Sequence, residues 1–197
     1  MVLTPSTMLD LGTTAPDFSL NTADGKPYIL AEQPIGQGLL VIFMCNHCPY
    51  VLHIAARLTE KIRDYQEQGI SVVAINSNDA SSYPDDSPDK MLTLADSFGF
   101  TFPYLVDEKQ DVAKIYQAAC TPDFFLFNKG KKLVYRGQFD RARPGNNEPI
   151  TGEDLSAAVN ALLAASPVSL EQKPSMGCNI KWKSGNEPKY FSPPQAD

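Results

Sequence analysis

The sequence predicts an α/β fold in which a central mixed β-sheet is flanked by helices, with an N-terminal β-hairpin and a C-terminal extension. Three observations carry this expectation. Leu39, Leu40, Val41, Ile42, Phe43 and Met44 form an unbroken apolar run, as a strand buried on both faces requires. Apolar residues then recur at Val51, Ile54, Ala55, Leu58, Ile62 and Tyr65, which is a helical period. A second apolar run over residues 70–75 follows, and strand, helix and strand in that order imply a parallel crossover.

The remaining elements follow along the chain. Ala15-Pro16-Asp17-Phe18-Ser19-Leu20, then Ala23-Asp24-Gly25-Lys26 and Tyr28-Ile29-Leu30, read as short strands around an Asp-Gly turn. Gly69 stops the first helix. Residues 77–87 are polar and turn-rich, and Ser87-Pro88 supplies an N-cap and a first-position proline for a helix running through about Phe98. Tyr104-Leu105-Val106 makes a short strand, after which Asp107 caps a helix expected to reach about Ala119. Residues 123–127 and 132–135 flank the turn Asn128-Lys129-Gly130-Lys131, so the sheet ends antiparallel. Thr151-Gly152-Glu153-Asp154 opens an Ala/Leu-rich helix ending near Ala165. The pattern then changes: residues 166–197 hold five prolines and no sustained period, yet Met176, Cys178, Ile180, Trp182, Tyr190 and Phe191 offer apolar anchors. The expected organisation is one domain over residues 1–165 and an extension over 166–197 that packs on it.

Composition narrows the function classes. The 197 residues are 43% hydrophobic and 20% charged, an ordinary globular balance with enough chain for a substantial core. Seventeen basic against 23 acidic residues leave a net charge of -6, and without a Lys/Arg block there is no surface to track phosphates, so nucleic acid is not an expected partner. No apolar stretch approaches the roughly 20 residues that span a bilayer. Residues 1–11 lack a positive n-region and a signal-peptide core, so the expected setting is cytoplasmic, with no membrane association. Four cysteines are too few for a secreted disulfide scaffold, and in a reducing compartment a close pair points to catalysis or metal binding.

That pair is Cys45 and Cys48 in Cys45-Asn46-His47-Cys48-Pro49, between the buried strand and the first helix. The arrangement sets Cys45 at or near a helix N-terminus, where unsatisfied N–H groups and the positive end of the macrodipole stabilise a thiolate. Two intervening residues bring the second sulfur within disulfide reach. His47, between the thiols, offers positive charge or a hydrogen bond to the Cys45 thiolate.

With these motifs the chain resembles the thioredoxin superfamily, and more closely its redoxin branch of peroxiredoxin-like, AhpC/TSA-type proteins. Ala15-Pro16-Asp17-Phe18 with Asp24-Gly25-Lys26 resembles the redoxin amino-terminal hairpin, and the cysteine run occupies the superfamily's active-site turn. Thr121-Pro122, before the strand at 123–127, matches the site of the superfamily's cis-proline. The resemblance covers roughly residues 12–165. It implies a thioredoxin-like fold, Cys45 as an exposed nucleophile, Cys48 as the resolving thiol, Pro122 shaping a groove, and the Thr121 backbone pairing with an extended substrate segment. Two departures stand out: Met44 replaces the tryptophan of thioredoxins, and the strand at 39–44 lacks their buried acid. Against peroxiredoxins, aligning Cys48 as the peroxidatic residue puts Cys45 where their threonine stands, with Arg136 or Arg143 as the candidate cation.

The expected function is thiol–disulfide oxidoreductase, with mixed-disulfide chemistry at Cys45–Cys48 and no organic cofactor or metal. Partners would be protein or small-molecule thiols and disulfides, with a thioredoxin or thioredoxin-reductase-type electron donor or acceptor. A thiol-dependent peroxidase with antioxidant activity and a non-catalytic redox-sensing module are the alternatives. A zinc half-site completed by Cys120, Cys178 or a histidine is the competing reading of the pair. Cys120 is either a small buried hydrophobe or an extra redox thiol. Cys178 is either an inert thiol or one that the tail brings to Cys120 or to the active pair.

Overall fold

In the computed structural model, which describes residues 3–191, the apolar run becomes strand β4 (Gly38–Phe43), buried along its whole length, as its two-sided apolar character demands. The other strands are β1 (Leu3–Pro5), β2 (Ser19–Thr22), β3 (Pro27–Ile29), β5 (Ile70–Asn76), β6 (Tyr104–Val106), β7 (Cys120–Thr121), β8 (Asp123–Asn128), β9 (Leu133–Gly137) and β10 (Met176–Asn179). The helices are α1 (Pro49–Glu67), α2 (Pro88–Phe98), α3 (Asp111–Ile115) and α4 (Glu153–Leu163). The fold is α/β and thioredoxin-like. Its main sheet runs β3-β2-β6-β5-β4-β8-β9, with β4, β5 and β6 parallel and the outer strands antiparallel.

Alternation along β4 divides the core into two layers. Leu40, Ile42 and Met44 pack with Val51, Ile54, Leu58 and Ile62 of α1 and with Leu155 and Val159 of α4. Leu39, Val41 and Phe43 face Tyr116, Phe125 and Phe127 on the opposite side. The Phe43, Tyr116 and Phe125 rings meet at 5.6–5.9 Å between centroids, near the edge-to-face arrangement that ring quadrupoles favour.

The helix expected from Asp107 to Ala119 is only the five residues of α3. Gln110 (φ +62°) and Gln117 (φ +53°) take left-handed conformations on either side of it and turn the chain into β7. Asp107 still caps it from upstream, its buried carboxylate accepting hydrogen bonds from Val112 N–H (3.3 Å) and Ala113 N–H (2.9 Å). Ser87 stands at the N-cap of α2 without a side-chain capping bond.

β1, β10 and β7 form a second, antiparallel sheet that the sequence pattern does not announce. It ties residues 3–5 to residues 176–179, and through them to the segment beside Pro122. Of the extension expected over 166–197, residues 192–197 lie outside the described residues, as do Met1 and Val2 of the segment 1–11.

Candidate redox site

β4 delivers the chain into the cysteine run, and Cys48, not Cys45, is the N-cap residue of α1, with Pro49 at its first position. The helix terminus therefore acts on the second thiol, because Pro49 starts the helix only after it. Cys45 is 1% exposed and Cys48 wholly buried, so the expected exposed nucleophile is covered.

Thr121 touches both sulfurs. Its hydroxyl lies 3.3 Å from Cys45 Sγ, and its carbonyl lies 3.2 Å from Cys48 Sγ. The Thr121–Pro122 bond is cis, as the resemblance implies. The Thr121 backbone, however, is not open to a substrate strand, since β10 is paired with β7 in the register Cys178↔Thr121 and Asn179↔Cys120. Side chains directly opposite each other share one face of a sheet, and successive residues alternate. Cys178 therefore lies on the Thr121 side, with its Sγ 2.8 Å from Cys48 Sγ. Cys120 is fully buried, and its thiol donates a weak hydrogen bond to the Pro122 carbonyl at 3.8 Å.

Electrostatics separate the thiols. Hydrogen bonding from Cys178 and Cys45, together with backbone contributions from Val51 and Cys178, pulls the Cys48 thiol well down against the effect of burial. Cys45 is pushed up by sharing its proton with Cys48, by burial, and by the Asp86 charge. Cys178 is also raised, first by its contact with Cys48 and then by burial, while burial raises Cys120. The directions of these shifts favour ionisation of Cys48 over Cys45, the thiol on which the sequence reading set the helix terminus.

His47 is the site's surface member, with about a quarter of its side chain exposed. Its Nδ1 lies 2.8 Å from Asp86 Oδ2, and its ring stacks on Tyr83 with 6.0 Å between centroids. Asp86 is a site residue that the sequence shows only as one of several acids in the polar, turn-rich stretch and its helix cap. It is buried and accepts hydrogen bonds from Asn46 N–H (2.8 Å), Asn76 Nδ2 (3.3 Å) and Asn78 Nδ2 (2.7 Å). Cys45, His47 and Asp86 each bring one donor atom within 4.8 Å of the others, a possible ligand trio in which the amide bonds already commit the carboxylate. Tyr104 is a second unanticipated member, its hydroxyl donating to Asn46 Oδ1 at 3.0 Å. No sequence signal separates Asp86 from the acids at 79, 85 and 89.

The buried acid missing from β4 is present on its neighbour. Asp123 pairs in register with Phe43 and is fully buried, and burial drives its carboxyl up to about 8. Of the candidate cations, Arg143 donates to Gln138 Oε1 (2.5 Å) and to the carbonyls of Asp140 and Ala142 (2.7 Å each), and Arg136 donates to Gln172 Oε1 (2.8 Å).

Residues 11–136 match the AhpC/TSA family. The chain is 49% identical to a hypothetical protein, SMc02350, of Sinorhizobium meliloti 1021, whose crystal structure superposes with a TM-score of 0.90 over 92% of this chain and all of that one. It is 29% identical to the thiol-disulfide oxidoreductase ResA of Geobacillus thermodenitrificans over 66% of this chain and 70% of that protein. It is 28% identical to a Mycobacterium tuberculosis protein named "Putative peroxiredoxin Rv2521" over 67% and 87% of the two lengths. The thioredoxin domain of the thiol-disulfide oxidoreductase BVU-2223 from Bacteroides vulgatus shares the fold at 15% identity, with a TM-score of 0.58 over 77% of this chain and 99% of that one.

Proposed function

The chain belongs to the AhpC/TSA family, and from that premise we propose that it is a thiol–disulfide oxidoreductase working through a reversible Cys45–Cys48 disulfide. The observation that carries this is the single residue Thr121 set against both sulfurs, at 3.3 and 3.2 Å, where a strand hands over to a helix. In the reducing direction a thiolate of the pair attacks a substrate disulfide, a mixed disulfide forms, and the second thiol displaces the substrate's sulfur as a thiolate. The two electrons lost by the pair appear as two thiols on the substrate.

Relatives named as thiol-disulfide oxidoreductases support thiols and disulfides as the substrate class. A thioredoxin-type protein or a small thiol is the proposed electron partner, in a cytoplasmic setting. No helix among the described residues is long and apolar enough to cross a membrane. The test is reduction of insulin disulfides with dithiothreitol as donor: Cys45→Ser is expected to lose the activity. Full activity in that variant would sink the proposal.

A second reading is supported by Cys48 itself, an N-cap thiol pulled down by its neighbours. As a thiol peroxidase, its thiolate would attack a peroxide oxygen, and Cys45 would displace water from the resulting sulfenic acid. Saturable oxidation by micromolar peroxide, with a trappable sulfenic acid on Cys48 in the Cys45→Ser/Cys178→Ser double variant, would favour this antioxidant role.

A further inference from the structure

We propose that Cys178 is a third redox thiol that exchanges with the Cys45–Cys48 disulfide to give a Cys48–Cys178 disulfide, so that the tail strand β10 acts as a built-in substrate. The proposal rests on the dithiol reading and extends it to a site 130 residues away in sequence.

Three independent observations converge. First, β10 lies antiparallel on β7 with Cys178 opposite Thr121, the edge beside Pro122 where an extended substrate segment was expected to pair. Second, the sulfurs of Cys48 and Cys178 are 2.8 Å apart, well inside an ordinary non-bonded sulfur contact, and need close only to the roughly 2.05 Å of an S–S bond. Third, residue 177 is a glycine because nothing else fits. A Cβ there would lie 1.9 Å from the Thr121 carbonyl oxygen, so the bare backbone is what lets β10 seat Cys178 this deeply.

The surroundings hold the tail in that register. Ser175 donates its hydroxyl to the Pro122 carbonyl (2.5 Å) and its N–H to Ser6 Oγ (2.7 Å). Ile180 N–H donates to the Ala119 carbonyl (3.1 Å), and Lys181 N–H to Asn78 Oδ1 (2.8 Å). Such anchoring on both sides of Cys178 gives the intramolecular thiol a high effective concentration at Cys48.

The step balances within the protein. The Cys178 thiolate attacks Cys48 Sγ of the Cys45–Cys48 disulfide; the Cys48–Cys178 bond forms and the Cys45–Cys48 bond breaks. The electron pair of the broken bond leaves on Cys45, which takes up the proton that Cys178 released. One disulfide and one thiol exist before and after, and the thiol now sits on Cys45, two residues from the partly exposed His47.

The test uses the full chain, reduced, freed of reductant and oxidised with graded diamide, which takes two electrons and two protons per disulfide formed. After acid quench and alkylation, linked peptides are mapped by mass spectrometry. Cys45→Ser is expected to lose two alkylatable thiols per equivalent of oxidant and to give the Cys48–Cys178 peptide, with Cys120 still alkylated. Wild type, which needs no variant to fold, is expected to give both Cys45–Cys48 and Cys48–Cys178 at one equivalent. Wild type showing only Cys45–Cys48, with Cys178 fully alkylated in oxidised Cys45→Ser, overturns the proposal and leaves the dithiol reading standing. Wild type showing only Cys48–Cys178 supports the new pair and overturns the dithiol on which exchange depends.

Discussion

Asp123 is where a single side chain tells most about this molecule. Its carboxyl is buried without a well-formed hydrogen bond, and burial raises it to about 8 from an ordinary 3.8. Between those values the folded protein holds a proton that the unfolded chain releases. Stability from this group is therefore complete below about pH 4, declines as pH rises, and is gone above about pH 8. Asp123→Asn, which cannot ionise, is expected to melt higher than wild type at about pH 9 and to lose most of that advantage by about pH 5. Thermal unfolding at the two pH values checks this, and equal differences at both would show that Asp123 is ionised in the fold. At this scale the sequence was legible in part. Cys45 and Cys48 announce themselves by spacing, but Asp86 and Asp123 acquire meaning only from burial, which no local pattern encodes.

Among elements, the legible ones are those whose signal is local. β4, α1 and β5 follow from apolar runs and a helical period, and α2 follows from Ser87-Pro88. α3 was overestimated because left-handed residues at Gln110 and Gln117 leave little trace in a sequence without glycine there. β7 and β10, two and four residues long, exist only by pairing with each other and with β1. Gly177 is the position on which that pairing turns. Gly177→Ala is expected to push β10 off β7, lowering the yield of any Cys48–Cys178 disulfide several-fold while sparing Cys45–Cys48 formation. Peptide mapping after oxidation measures both, and an unchanged yield would mean that β10 tolerates a side chain against Thr121.

For the molecule as a whole, the tail links the two core layers. Cys178 belongs to the layer with α1 and α4, whereas Ile180 and Trp182 belong to the layer with Tyr116 and Phe125. Removing one anchor should therefore be felt at the other side of the sheet. Ile180→Ala, at a side chain 1% exposed, is expected to cost about 2–5 kcal/mol in urea unfolding. It should also speed alkylation of Cys48, the thiol that Cys178 contacts, under native conditions. Slow alkylation despite that loss would show that the seating of Cys178 on Cys48 does not depend on this anchor.

The distance along the chain between Cys48 and the strand that covers it has a consequence for biosynthesis. Synthesis runs from the amino terminus, so the ribosome adds Cys48 130 residues before Cys178 and completes α1, which ends at Glu67, well before the tail strand is made. β1, likewise, must wait for β10 before it has a neighbour. Throughout that interval the nascent chain carries Cys48 without the tail strand that lies against it. The contact of β10 with Cys48 can form only once residues 176–179 have been made.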